Sequence, residues 1–385
     1  MMDRQRVKRF LLRYFPGCED FLHTASARSQ ALMSAQRAEA ARYAPNGAIV
    51  HGPLGAPTTA MVEITERCNL NCIMCQRRKV RMQNREMSLD TYQRILDKVP
   101  SLRQITLLGY GETLIHRDIA EILELNRSRD LTTTIVTNGF LLTPELVDRL
   151  LPGSLIHVSI DSPRPETYRA IRGRDLGELT DRVRAVHAHR HRDLFWAVNF
   201  VVMPDNLTQM ADMVTFTRRL GIWAVNFPLL VGDSHPYADM PAYRRALAAA
   251  RRRAWREGRF VTFTSGPGFM PCKCIEPYFL LRLTVTGDVY PCCYIHGGER
   301  DLFEVEYKGE RVEVSQREYL MGNILEAPDV ETIWHSAKYK ALRRRLLARE
   351  AQPEADYDAL LAAYRKAPRG FAHCEICPWR NGIHC

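Results

Sequence analysis

The chain has 385 residues, 46% of them hydrophobic and 25% charged, with 54 Lys+Arg against 44 Asp+Glu and a net charge of +10. That balance excludes global disorder, and the length fits one large α/β barrel with a satellite, or two domains, rather than one small domain. No apolar run reaches the ~18 residues of a membrane-spanning helix and no signal-peptide pattern opens the sequence, so a cytoplasmic protein without a transmembrane segment is expected.

Residues 1–57 read as an N-terminal extension and linker. Val7, Phe10, Leu11, Tyr14 and Phe15 recur at helical spacing among Arg4, Arg6, Lys8, Arg9 and Arg13, which predicts a basic amphipathic helix. Such a helix packs on the main domain or meets an acidic partner or membrane surface. The run His51–Pro57, rich in Pro and Gly, reads as the linker.

Residues 58–262 alternate between short apolar or β-branched runs and longer amphipathic stretches. The expected strands are Ala60–Ile64, Gln104–Leu108, Thr133–Thr137, Ile156–Ile160, Trp196–Val202 and Ala224–Pro228. The helices between them are expected at Ser88–Lys98, Ile119–Asn126, Thr143–Leu151, Leu176–His187 and Leu207–Leu220. This alternation predicts an α/β fold whose parallel sheet is curved into a partial or full (β/α)6 TIM-type barrel, with ligands at the carboxyl ends of the strands. Residues 263–385 differ. Short strands at Leu280–Val285 and Val289–Tyr290 flank a Thr286-Gly287-Asp288 turn, a helix is expected over Val330–Arg349, and a loop-rich tail follows. So few apolar residues suggest a segment that metal staples help to fold.

The 11 cysteines are clustered, with none between Cys75 and Cys272, which favours metal or redox chemistry over a disulfide framework. Cys68, Cys72 and Cys75 follow the first expected strand in a polar, Asn-rich loop. Structural zinc takes four ligands, whereas a cubane iron–sulfur cluster held by three thiolates leaves one iron open to a small molecule.

On these residues the sequence resembles the radical S-adenosylmethionine (SAM) superfamily over about residues 58–262. Gly109-Tyr110-Gly111-Glu112 looks like the family's Gly-Gly-Glu element, which implies a hold on the amino group of SAM. Thr137-Asn138-Gly139 ends the third strand as in many members, and Ser159-Ile160-Asp161-Ser162 ends the fourth. By the same resemblance Asn138 adds to the SAM-binding set, Ser159 would contact the ribose or carboxylate, and Arg172 the carboxylate. Met74 stands where an aromatic residue often touches the adenine; a polarizable thioether can pack on a ring. The resemblance implies a [4Fe–4S] cluster on Cys68, Cys72 and Cys75, reductive cleavage of SAM, and hydrogen abstraction from a substrate C–H bond.

The C-terminal region resembles the SPASM/twitch extension of such enzymes, through Gly287-Asp-Val-Tyr-Pro-Cys292, Gly322-Asn-Ile, Ile333-Trp334 and the closing Cys374-x2-Cys377. At least one auxiliary [4Fe–4S] cluster is implied, with Cys274, Cys292, Cys374 and Cys377 as its ligands and Cys272, Cys293 and Cys385 as alternates. Zinc is the alternative for Cys374 and Cys377. Cys385 is a candidate hydrogen donor, and Cys18 has no assigned role. Glu276, Tyr278, His296 and His373 lie near these cysteines in sequence and are candidates to act on substrate.

Arg77, Arg78, Lys79, Arg81 and Arg85 follow the first cysteine loop. They would receive an acidic flavodoxin or ferredoxin electron donor, attract an anionic substrate, or form a solvated face. Arg251–Arg253 and Arg343–Arg345 read as exposed helix faces, and no nucleic-acid recognition motif accompanies the charge. The expectation is a radical SAM oxidoreductase that oxidises a small polar metabolite such as a sugar, aminocyclitol or natural-product intermediate. Peptide crosslinking or epimerisation, and redox-neutral epimerisation, are the alternatives.

Overall fold

The computed structural model describes residues 55–78, 82–228, 230, 240–263, 276–292, 302–307, 310–315 and 317–350. The amphipathic N-terminal stretch lies outside them, as do Cys18, Cys272, Cys274, Cys293, Cys374, Cys377, Cys385, His296 and His373.

All six expected strands form: β1 (Thr59–Val62), β2 (Gln104–Leu107), β3 (Thr132–Thr137), β4 (Leu155–Ser159), β5 (Phe195–Asn199) and β6 (Ala224–Phe227). A further parallel strand, β7 (Phe260–Phe263), pairs with β6. Helices α1 (Leu89–Lys98), α2 (Ile119–Ser128), α3 (Pro144–Val147), α4 (Pro165–Arg172), α5 (Leu176–His189), α6 (Met210–Arg219) and α7 (Met240–Glu257) intervene. Their starts follow local chemistry. Ser88, Thr143 and Asp175 accept from the backbone amides of Thr91, Leu146 and Glu178, each satisfying a helix-end donor. The stretch expected to be helical over Thr143–Leu151 shortens to α3, beyond which Arg149 N and Leu150 N bond Leu146 O and Val147 O in tighter turns.

The C-terminal region joins this sheet instead of standing apart. Strand β8 (Leu280–Leu283) runs parallel to β1, and β9 (Asp288–Tyr290) folds back on β8 through the turn at Gly287 (φ +82°). A second antiparallel hairpin, β10 (Leu302–Tyr307) with β11 (Glu310–Ser315), forms its own two-stranded sheet. With β12 (Gly322–Asn323) the large sheet has ten strands in the order β12-β9-β8-β1-β2-β3-β4-β5-β6-β7, an open partial barrel.

Three expectations are corrected here. The C-terminal region does not lack a core: Leu281, Leu283, Val289, Ile324, Ile333 and Trp334 belong to the same buried apolar cluster as β1–β6. The helix expected over Val330–Arg349 is two, α8 (Val330–Trp334) and α9 (Ala337–Glu350), because Ser336 caps a new start by accepting from Tyr339 N. Arg343 is also no exposed charge. It is 5% exposed, its guanidinium lies 4.3 Å and 4.2 Å from the Trp334 and Tyr339 ring centroids, and it donates to the carbonyls of Pro277 and Trp334. Its neighbour Arg344 is exposed.

Candidate active site

Beyond β1 the chain leaves the sheet as a loop that returns beside its own start. Glu66 N donates to Arg85 O, Met87 N donates to Ile64 O, and Thr65 bridges Glu86. The buried Glu66 carboxylate takes Arg85 N at 2.9 Å and Arg85 Nε at 2.8 Å, and Arg85 Nη2 closes the ion pair. Arg77 adds Nε to Glu66 O and Nη2 to Asn84 Oδ1, with Asn84 at φ +57° turning the chain back. Arg77 and Arg85 therefore clasp the base of the loop instead of forming a free basic patch. Arg78 is exposed at its edge, and the side chains of Lys79 and Arg81 lie outside the described residues.

The loop carries Cys68, Cys72 and Cys75 as free thiols, Cys72 buried and the others half-buried. Burial pushes the Cys68 thiol up, with Leu70 N opposing; burial also pushes Cys72 up, against the Arg172 charge. Three neighbouring structures grip this loop. From the end of β2, Glu112 N donates to Arg67 O at 2.8 Å. From the end of β3, Asn138 Nδ2 donates to Asn69 Oδ1 at 2.8 Å. From α4, Ile171 O accepts from Ile73 N, and Arg172 Nη1 lies 3.6 Å from Cys72 Sγ. The structure thus brings together Cys68, Cys72, Cys75, Gly111, Glu112, Asn138 and Arg172, which the sequence places up to 104 residues apart.

The Gly109–Glu112 segment explains its own composition. A Cβ on Gly111 would sit 2.1 Å from Thr65 O and 2.6 Å from Arg67 O, so only glycine lets the two loops lie back to back. The Glu112 carboxylate accepts from Thr137 Oγ1 (2.5 Å), Asn138 N (2.7 Å) and Leu114 N (3.1 Å). It ties the end of β2 to the end of β3, and burial pushes its pKa up despite those donors. Arg172 is held by fully buried Asp161, Nε to Oδ2 at 2.5 Å, and Asp161 Oδ1 accepts from Val201 N. Met74 is half-buried against the core.

Ser159 ends β4 on the inward face of the sheet. Backbone pairing aligns Ser159 with Asn199, Asn199 with Asn226, and Asn226 with Thr262, one row across β4–β7. Their neighbours Val158, Val198 and Val225 are fully buried on the opposite, helix-covered face. The row faces inward, half-buried to exposed. It is laced together: His157 Nδ1 meets Asn199 Oδ1 at 3.0 Å, Asn226 Nδ2 donates to the same oxygen at 3.1 Å, and Thr262 Oγ1 donates to Asn226 Oδ1 at 2.8 Å. Burial holds His157 below the usual imidazole range. Sequence reading picked only Ser159 here. The period-2 polar positions of β4, β5 and β6 were the available signal.

Cys292 is buried just beyond β9, and Tyr278, a candidate to act on substrate, is buried with its hydroxyl donating to Arg343 O. The Glu276 side chain lies outside the described residues.

The donor chemistry fits an iron–sulfur cluster. Among the described residues no three His, Cys, Asp or Glu side chains converge on a single-ion site, and a cluster several atoms across spaces its thiolates wider than one ion does. Three thiols on one clasped loop beside a buried guanidinium and a glycine-only cradle suit a cluster with an open iron and a small ligand beside it.

Comparisons with known proteins agree. Residues 62–217 match the family model of the radical SAM superfamily, and residues 274–357 that of an iron-sulfur cluster-binding domain, SPASM. An AdoMet-dependent heme synthase of Methanosarcina barkeri is 30% identical over 170 residues, covering 43% of this chain and 48% of that protein. The mycofactocin maturase MftC of Mycolicibacterium smegmatis is 26% identical over 172 residues, 44% of this chain and 43% of that one. The chain thus spans about half the length of the curated relatives it matches. Streptococcus suis SuiB, crystallised with S-adenosylmethionine, shares the fold at a TM-score of 0.60 and 16% identity, covering 87% of this chain and 79% of SuiB. Among the described residues no helix is long and apolar enough to cross a membrane.

Proposed function

We propose a function that proceeds from membership: this chain belongs to the radical SAM superfamily and carries a C-terminal SPASM domain. The radical SAM domain implies a [4Fe–4S] cluster and SAM, and the SPASM domain implies auxiliary iron–sulfur clusters. When bound, the first cluster supplies one electron that cleaves SAM to methionine and a 5′-deoxyadenosyl radical, which takes hydrogen from a substrate C–H bond. In our reading Cys68, Cys72 and Cys75 hold that cluster, and the Gly109–Gly111 backbone, Glu112, Asn138, Ser159 and Arg172 form the site that receives SAM. Arg172 acts there as a buried, permanently charged partner for a carboxylate. Met74 packs at the adenine. Cys274, Cys292, Cys374 and Cys377 hold the auxiliary cluster.

The reaction we infer is net oxidation of a small polar metabolite; the auxiliary cluster, when bound, would serve as acceptor for the electron that the substrate radical gives up together with a proton. The observation that carries it is the inward row of Asn199, Asn226 and Thr262 with His157 (amide, hydroxyl and neutral imidazole groups), which suits a small molecule bearing hydroxyl, amine or amide groups. A second reading, peptide modification, is favoured by relatives such as MftC and a PqqA peptide cyclase of Granulibacter bethesdensis, 23% identical over 168 residues. The anaerobically reconstituted chain is incubated with SAM, a reductant and a panel of polyols, aminocyclitols and short peptides. Our reading expects a polyol or aminocyclitol product two hydrogens lighter for each SAM consumed. Turnover of peptides alone, or an unchanged product mass with deuterium gained from solvent, refutes it.

A further inference from the structure

One buried ion pair joins the C-terminal hairpin to the loop beside the cysteine site. Glu63 follows β1 and is 2% exposed; Arg282 lies in β8 and is fully buried. Arg282 pairs in register with Met61, so it shares the inward face of the sheet with Glu63. Its Nη2 lies 3.8 Å from Glu63 Oε2, beyond hydrogen-bond reach but close enough for strong attraction where water is excluded. The other carboxylate oxygen, Oε1, accepts from Tyr110 N at 2.6 Å. That amide lies in the middle of the Gly109–Gly111 segment. The segment rests directly on the carboxylate: a Cβ on Gly109 would sit 2.3 Å from Glu63 Oε1. On the other side, Arg282 pairs with Tyr290 in β9, two residues before Cys292.

We propose that Glu63 and Arg282 are positioning residues for SAM: Glu63 sets the Gly109–Gly111 backbone through the Tyr110 amide, and Arg282, delivered by the hairpin that leads to Cys292, holds Glu63 in place. This rests on the reading that the Gly109–Gly111 segment receives SAM. The consequence is a physical coupling between the seating of the auxiliary domain and the affinity for SAM, carried by one carboxylate. A buried carboxylate that loses its cation must protonate or move, and either change loosens its hold on Tyr110 N.

The test is SAM affinity, measured by equilibrium dialysis on the full chain reconstituted with iron and sulfide under anaerobic conditions. The electron paramagnetic resonance spectrum of the reduced cluster with and without SAM is recorded alongside. Glu63→Leu, which deletes the acceptor, weakens SAM binding about tenfold and diminishes the SAM-induced spectral change at unchanged iron content, the loss of about one charge-assisted hydrogen bond. Glu63→Gln keeps an acceptor for Tyr110 N and stays within about threefold of the parent. Arg282→Met weakens binding, and adding Glu63→Gln to it restores affinity because a neutral amide needs no cation. Where Arg282→Met does not fold, the contrast between Glu63→Leu and Glu63→Gln decides alone. Parental affinity in Glu63→Leu overturns the proposal. If Gly111→Ala loses SAM while Glu63→Leu keeps it, the segment still receives SAM and only the positioning role falls; if both keep it, the SAM-loop reading falls too.

Discussion

Gly111→Ala is the most local perturbation of the site, and its size follows from the coordinates. The added methyl carbon would lie 2.1 Å from Thr65 O, about 1.3 Å inside ordinary contact at 3.4 Å, and the obstacle is backbone on both sides. Neither loop can yield by a side-chain rotation, so Gly111 and the Glu112 N to Arg67 O bond must separate by roughly an ångström. Overpacking of this kind costs about 1–3 kcal/mol of stability. A misplacement of about 1 Å at a reacting centre can cost about a hundredfold in rate. We expect 5′-deoxyadenosine formation by the reconstituted variant to fall about a hundredfold at parental iron content, read by chromatography of quenched reactions. Gly221→Ala is the control: at φ +80° it loses about 1–2 kcal/mol through left-handed strain. It sits between α6 and β6, away from the cysteine loop, and leaves SAM cleavage unchanged. A Gly111→Ala enzyme that cleaves SAM at the parental rate would refute the close packing of the two loops.

Arg172→Met strands the fully buried Asp161 carboxylate and should cost about 3–5 kcal/mol in a denaturant melt of the apo chain, whereas Arg172→Met with Asp161→Leu recovers most of it; equal melts for both variants contradict the pairing. His187 is pushed down to about 4 by burial and by the neighbouring His191, so the folded state holds it neutral where the unfolded chain protonates it near 6.5. The stability it contributes is present above about pH 6.5 and lost as pH falls towards 4, at most about 3 kcal/mol, and His187→Phe should flatten that limb of the stability–pH curve. Arg343→Met removes donors from Pro277 O and Trp334 O and should lower the melting temperature while leaving SAM affinity unchanged; an unaltered melt would contradict its structural role.

The parts legible in sequence were those written locally. Strands β1–β6 are short apolar runs between amphipathic stretches, and Ser88, Thr143 and Asp175 announce helices by side-chain capping. The cysteine loop stood out by its three clustered thiols, and Gly111, Asn138 and Arg172 through the resemblance of their segments to family motifs. The pairing of β8 with β1 was not legible, because parallel register across about two hundred residues leaves no local trace. For the same reason Arg282 and Arg343 read as surface charges or went unnoticed, although one neutralises Glu63 and the other stacks between two aromatic rings. Strand β7 escaped because four residues after a long Arg-rich helix carry too little pattern. The polar row on β4–β7 was spelled out by alternation, yet each strand alone offers only one or two of its residues.

The central claim is that the Cys68–Cys75 loop holds a cluster that cleaves SAM. The direct measurement is 5′-deoxyadenosine produced from SAM and dithionite by the anaerobically reconstituted chain and by its Cys72→Ala variant, with iron and sulfide determined in both. The parent should form 5′-deoxyadenosine and Cys72→Ala none, with less iron bound in the variant. Equal cleavage by the two proteins, or none from a parent carrying full iron and sulfide, would contradict it.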